Sequence, residues 1–131
     1  MIGFINGCFD ILHVGHIRMF NECKNKVNFL FVAIDSDERV RINKGNNRPF
    51  NNLSDRVEML ENIKPIDKVL TFSTDEELSN LVQNINPDIM MVGEEYKGEN
   101  VIGSEFAKKL AFFGRIGEYS TTNISKNITS R

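Results

Sequence analysis

The stretch "NGCFDILHVGH", Asn6 to His16, holds both histidines of the chain and follows directly on an apolar run. The preceding "IGFIN" (Ile2 to Asn6) reads as a short strand ended by Gly7. "HIRMFNECKN" (His16 to Asn25) reads as a helix with Ile17, Phe20 and Cys23 on one face and Met19 beside them. The quoted residues are therefore a strand–loop–helix junction. Gly7 has no side chain, so a ligand can come close to the backbone. Free amides at a helix start, and the positive end of its dipole, favour an anion such as phosphate. His13 and His16 stand three apart, so in a helical first turn both face the same ligand and each can donate to its oxygens. On spacing alone a second reading stands beside this one, that of two incidental surface histidines near a helix start. A metal site is disfavoured, because H-x-x-H supplies two ligands and the chain has no further histidine.

Outward from this junction the same alternation continues. "FLFVAI" (Phe29 to Ile34), "DKVLTF" (Asp67 to Phe72), "DIMMVG" (Asp88 to Gly93) and "GRIGEY" (Gly114 to Tyr119) read as strands. Ser54 is the expected N-cap of a helix over Ser54 to Ile63, in which Val57, Leu60 and Ile63 recur at helical spacing. Thr74 is the expected cap of a helix over "TDEELSNLVQNI", which carries acids in its first turn. "SEFAKKLAFF" (Ser104 to Phe113) and "TTNISKNI" (Thr121 to Ile128) read as two more helices. The pattern predicts an α/β fold, a Rossmann-like doubly wound parallel five-stranded sheet with helices on both faces. In such sheets ligands bind beyond the carboxyl ends of the strands, where strand order reverses. The loops after strands one, two and four are the places to look.

The bulk numbers narrow the class. A length of 131 residues predicts a single domain over 1–131, and 40% hydrophobic with 26% charged residues is ordinary for a globular chain. A net charge of −2 leaves no basic footprint, so no nucleic-acid partner is expected. The longest apolar runs are too short for a membrane span, and no secretory signal is visible, which gives a cytoplasmic expectation. Cys8 and Cys23 fit neither a disulfide framework nor a zinc pattern and read as reduced thiols. Asp35 and Asp37, after the second strand, are placed to bind ribose hydroxyls or to cap a turn.

"GCFDILHVGH" resembles the G-x-F-D-x-x-H-x-G-H signature of the cytidylyltransferase-like nucleotidylyltransferases. "RIGEYSTTNI" (Arg115 to Ile124) is similar to the R-T-E-G-I-S-T-T block of glycerol-3-phosphate cytidylyltransferases, with Gly117 and Glu118 in place of the usual Glu-Gly order. "NKGNNRPF" (Asn43 to Phe50) with Arg56 resembles the K-G-x-x-R-P-x … R pattern of heptose-phosphate adenylyltransferases. "GEEYKGENVIGSE" resembles their GxDY…G segment, with Glu95 where Asp is usual.

The resemblance implies transfer of a nucleotidyl group from a nucleoside triphosphate to a phosphorylated acceptor, with release of pyrophosphate. It assigns catalysis to His13, His16, Lys44 and Arg115, and nucleotide binding to Gly7, Cys8, Phe9, Asp10, Gly15, Asp37, Gly93, Glu95, Ser120, Thr121 and Thr122. Arg56 and Lys64 are the expected holders of the acceptor, although Lys64 opens "KPID" where the glycerol-phosphate enzymes carry R-Y-V-D. Magnesium bridging phosphate oxygens is the implied cofactor, with few or no direct protein ligands. A homodimer is the implied assembly. The choice of base is divided, with a lean to CTP over ATP. The acceptor remains open between glycerol 3-phosphate, a heptose 1-phosphate and a specialised phosphate such as glutamine phosphate, all of which feed cell-surface polymers. A nucleotide-binding regulator without turnover is the reading from a different class.

Overall fold

A computed structural model describes residues 1–114 of the chain. Five strands, β1 (Ile2–Gly7), β2 (Phe29–Asp35), β3 (Lys68–Phe72), β4 (Ile89–Gly93) and β5 (Lys109–Phe113), form one sheet in the order β3-β2-β1-β4-β5. Every pairing is parallel, with Phe4 opposite Phe31 and Met90, and Gly93 opposite Phe113. The chain runs outward from β1 to β3, then returns to lay β4 against the other side of β1. The reversal of strand order thus falls between β1 and β4, where the carboxyl ends of two adjacent strands diverge.

Among the described residues, four helices cover the sheet: α1 (Val14–Lys24), α2 (Asp37–Lys44), α3 (Leu53–Glu61) and α4 (Asp75–Ile85). Alternate strand residues feed two cores. Ile5, Val32, Ile34 and Met91 pack with Phe20 and Cys23 of α1 and Leu60 of α3 on one face. Phe4, Ala33, Met90 and Val92 pack with Leu78 and Val82 of α4 on the other. The strands read as continuous apolar runs because both faces are covered. Full burial of each such large side chain contributes roughly 1.5–3 kcal/mol, and Phe4, Phe20, Leu30 and Leu60 are all fully buried.

The doubly wound parallel architecture is as the alternation predicts, and Thr74 caps α4 by accepting from the Glu77 amide at 3.1 Å. Three local readings are corrected. The helix expected over Ser104 to Phe113 is a single 3-10 turn, Ser104–Phe106, followed by β5. Ala111 and Phe113 face one core while Leu110 and Phe112 face the other, so the run alternates as a strand does. The fifth strand is therefore Lys109–Phe113, and the expected strand over "GRIGEY" and the final helix lie outside the described residues. Asn52, not Ser54, caps α3, accepting from the Asp55 amide at 2.8 Å. Helix α2 replaces an expected loop. It buries only Val40, so it shows no apolar period, but Ser36 caps it and Asp37 and Glu38 fill its first turn. Among the described residues, no helix is long and apolar enough to cross a membrane.

Candidate functional site

At the β1/β4 reversal a cavity of about 550 Å³ opens on the carboxyl edge of the sheet. The loop from Gly7 to His13 forms one wall, the inner side of α2 another, and the segment after β4 a third.

The local sequence shapes the first wall in a specific way. Phe9 adopts a φ of 49°, a left-handed conformation that an aromatic residue rarely holds. This turns its ring inward, edge-on to Phe20 and to His16, with both centroids 5.2 Å away. The ring lies under Gly7, where any Cβ would come within 2.9 Å of it. Gly7 is thus required for the packing that supports His16 as well as for access by a ligand.

The two histidines build the start of α1 between them. His13 is the N-cap, and its Nδ1 accepts from the Gly15 amide at 3.1 Å. His16, three residues on, reaches back so that its Nδ1 accepts from the His13 amide at 3.3 Å. This is a capping box with imidazoles in both roles. The rings stack at 3.7 Å between centroids. Because His16 Nδ1 serves as an acceptor, the hydrogen-bond pattern assigns its neutral ring proton to Nε2. Burial, followed by repulsion from His13 and Lys44, lowers the pKa of His16 from 6.5 to about 3. His16 is a neutral Nε2–H donor at physiological pH.

This shift has a consequence for stability. Between pH 6.5 and about 3 the unfolded chain binds a proton at His16 that the folded chain refuses. The contribution of His16 is therefore fully present above pH 6.5 and is lost progressively as the pH falls toward 3. Urea unfolding of the wild type should weaken from pH 7 to 4.5, and His16→Gln should flatten that slope. Equal slopes in the two proteins would contradict the assignment.

Nine of the residues expected at the site line this cavity: Gly7, Cys8, Phe9, His13, Gly15 and His16 from the signature, Lys44 from the end of α2, and Gly93 and Glu95 after β4. The carboxylate of Glu95 folds back over Gly93 and occupies the place of a Cβ there. Burial raises the pKa of the Cys8 thiol against the pull of Lys44 and Arg56, which keeps it protonated and poorly nucleophilic. Arg115, Ser120, Thr121 and Thr122 lie outside the described residues.

The remaining expectations are placed elsewhere. Asp10 has a fully buried side chain and lines no wall of the cavity. It accepts from Arg48 Nε at 2.9 Å and from the Phe50 and Asn51 amides at 2.7 Å each, tethering the segment that follows Lys44. Burial pushes its pKa upward, but the Asn51 and Phe50 amides and Arg48 outweigh burial and hold it below the usual carboxylate range.

Arg56 is only 1% exposed, and its guanidinium is taken up by the protein. It donates to the carbonyls of Asn51, Cys8 and Asp35 at 3.0, 3.1 and 2.9 Å, and to Asp37 Oδ1 at 2.7 Å. Arg56 and Asp37 are thus partners of each other, and neither lines the cavity. Lys64 is exposed on the turn before β3, at the amino edge of the sheet, and does not line the cavity.

Sequence reading missed Asn6, Arg39, Asn43, Tyr96 and Asn100, all of which line the cavity, and left Asp35 open between two roles. Asn6 Oδ1 is buried and makes no hydrogen bond among the described residues. The signal for Arg39 and Asn43 was the cap Ser36, which makes α2 a helix and sets residues 39 and 43 four apart on one side.

A family model described as "Cytidylyltransferase-like" matches residues 4–128. The bifunctional protein HldE of Campylobacter fetus subsp. fetus is 42% identical over 125 residues, covering 95% of this chain and 27% of that protein. The bifunctional protein HldE of Helicobacter hepaticus is 37% identical over 127 residues, covering 97% and 26%. The chain thus spans about a quarter of the length of these curated relatives. Among solved structures, the lipopolysaccharide core biosynthesis protein from Thermoplasma volcanium superposes with a TM-score of 0.68 at 25% identity, over 92% of this chain and 98% of that one. With the signature loop at the strand reversal and a match along nearly all its length, the chain belongs to the cytidylyltransferase-like family of nucleotidylyltransferases.

Proposed function

We propose that the chain transfers AMP from ATP to the phosphate of a sugar 1-phosphate, of the heptose 1-phosphate type, and releases pyrophosphate. The observation that carries the reading is the pair of stacked imidazoles at the start of α1, which line a cavity at the strand reversal together with Lys44. The relatives named HldE weigh toward the adenylyltransferase side of the family, against the lean to CTP drawn from sequence. "KGNNRPF" and "VIGSE" point the same way.

An oxygen of the acceptor phosphate attacks the α-phosphorus of ATP. As that bond forms, the bond from the α-phosphorus to the bridging oxygen breaks, and pyrophosphate leaves with the electron pair. Both reactants are anions, so alignment and charge neutralisation are the main tasks. His13 and His16 donate from Nε2 to α-phosphate oxygens, where charge develops. His16, neutral across the physiological range, remains available as a donor and needs no proton transfer. Lys44, exposed at the end of α2 beside Gly45, closes on the phosphates as a flexible point charge. Arg115 and the Ser120–Thr122 stretch are assigned to the terminal phosphates by resemblance. No protein nucleophile takes part, in keeping with a protonated Cys8. Magnesium would be held mainly by phosphate oxygens, as the resemblance implies.

The test is pyrophosphate release with ATP and with CTP, each against heptose 1-phosphate, other sugar 1-phosphates and glycerol 3-phosphate, in magnesium. Release with ATP and a sugar 1-phosphate supports the reading. Release only with CTP would return the choice to the cytidylyltransferase side, and nucleotide binding without release from any acceptor would favour a regulator.

A further inference from the structure

Asn6, next to last in β1, follows Phe4 and Ile5, which feed the two cores. Alternation along the strand puts it on the face of Phe4, the α4 side. In the parallel register it stands opposite Ala33 of β2, a member of the same core. Asparagine is disfavoured at such a strand position, and packing alone would favour valine. Its Oδ1 is buried without a hydrogen bond among the described residues, and a buried acceptor without a donor weakens a fold. Asn6 is nonetheless only half-buried and lines the cavity. With Oδ1 turned inward, Nδ2 is the end of the amide that faces the cavity. It too makes no hydrogen bond among the described residues.

The cavity extends over both faces of the sheet edge. Phe9 and Met19 in its wall belong to the core under α1, whereas Phe72, Leu78, Val92 and Val101 belong to the core under α4. The histidines stand at the start of α1, where free amides add to the pull on phosphate. On the α4 side the charged groups are taken up by one another. Arg39 pairs with Asp35 at 3.3 Å and with Asp75 at 2.6 Å, and Lys44 and Arg56 also act on Asp35. What faces a ligand there is an apolar wall with one side-chain amide, which suits a neutral body that carries hydroxyls. A sugar ring has that form, with C–H groups against the apolar side chains and a hydroxyl oxygen accepting from Nδ2.

We infer that Asn6 determines acceptor specificity in the proposed transfer, its Nδ2 donating to a hydroxyl oxygen of the acceptor sugar. The inference rests on that reaction. In an in-line displacement the attacking and leaving oxygens lie on opposite sides of the α-phosphorus. With the triphosphate drawn to the α1 side, the body of the acceptor lies across the sheet edge, on the α4 side, where Asn6 stands.

The experiment uses the full chain and two variants, Asn6→Val and Asn6→Ala. Pyrophosphate release with ATP and a heptose 1-phosphate gives kcat and both KM values, calorimetry gives the binding of each substrate alone, and melting temperature reports the fold. Asn6→Val should melt no lower than the wild type, because it removes the unpaired oxygen and suits a strand. The acceptor KM should rise about 5- to 30-fold in both variants, with kcat little changed and the ATP KM within about 2-fold of the wild type.

A lowered melting temperature with both KM values unaltered would make Asn6 a structural residue and overturn the inference. A rise confined to the ATP KM would assign Asn6 to the nucleotide and overturn it as well. Turnover by the wild type with an unaltered acceptor KM in both variants refutes the role of Asn6 and leaves the reaction standing. If the wild type does not turn over, the reaction fails and calorimetry decides the subsite alone. Weaker binding of the heptose 1-phosphate by Asn6→Val then supports it, and equal binding overturns it.

Discussion

His16→Gln should retain the fold and lose two to three orders of magnitude in turnover. Glutamine is a natural partner in a capping box, so its side chain can still accept from the His13 amide and keep the start of α1 closed. What it cannot supply is the rigid imidazole that lines the cavity, held there by stacking on His13 and by the edge of Phe9. Removing one preorganised donor from developing charge costs on the order of 100- to 1000-fold in kcat. His16→Ala should lose as much activity and, in addition, about 1 kcal/mol of stability with the cap. Melting temperature and kcat measured on both variants separate the two roles. A Gln variant that works at the wild-type rate would mean that His16 only caps the helix.

Arg56→Met should be the most destabilising single change among those considered, and for structural reasons. The wild-type guanidinium ties four parts of the fold together: the signature loop at Cys8, the end of β2 at Asp35, the start of α2 at Asp37 and the approach to α3 at Asn51. Methionine fills similar volume but leaves three carbonyls without this donor and Asp37 without its ion partner. Breaking a buried charged pair costs about 3–5 kcal/mol, which for a domain of this size lowers the melting temperature by roughly 10–20 °C. Arg56→Lys should recover little of it, because one ammonium cannot reach four acceptors in different directions. A melting temperature within a few degrees of wild type, together with a raised acceptor KM, would restore Arg56 to the acceptor site.

The placement of Arg56 shows where sequence reading stops. The signature loop was legible because its chemistry is local: a strand end, two histidines at helical spacing and glycines that admit a ligand all sit within eleven residues. The sheet was legible for a similar reason, since apolar runs covered on both faces need no knowledge of their partners. Arg56 and Asp10 are different, because their roles depend on groups 48 and 41 positions away. A cation near a basic loop and an acid beside a histidine motif both look like ligands until the fold delivers their protein partners. Helix α2 and β5 failed in a second way. With one buried residue α2 has no hydrophobic period, and "SEFAKKLAFF" fits both a helical and an alternating pattern until β4 provides a strand to pair with. Arg39 was missed with α2, because a residue's direction is undefined until its element is known.

Direct transfer at the β1/β4 reversal depends on the imidazole pair. Its most direct test is steady-state pyrophosphate release from ATP and a sugar 1-phosphate by the wild type, His16→Gln and Lys64→Ala side by side. Lys64→Ala, whose side chain lies at the opposite edge of the sheet, should turn over at the wild-type rate, and His16→Gln should lose at least about 100-fold. Equal rates in the wild type and His16→Gln, or a collapse confined to Lys64→Ala, would contradict that dependence.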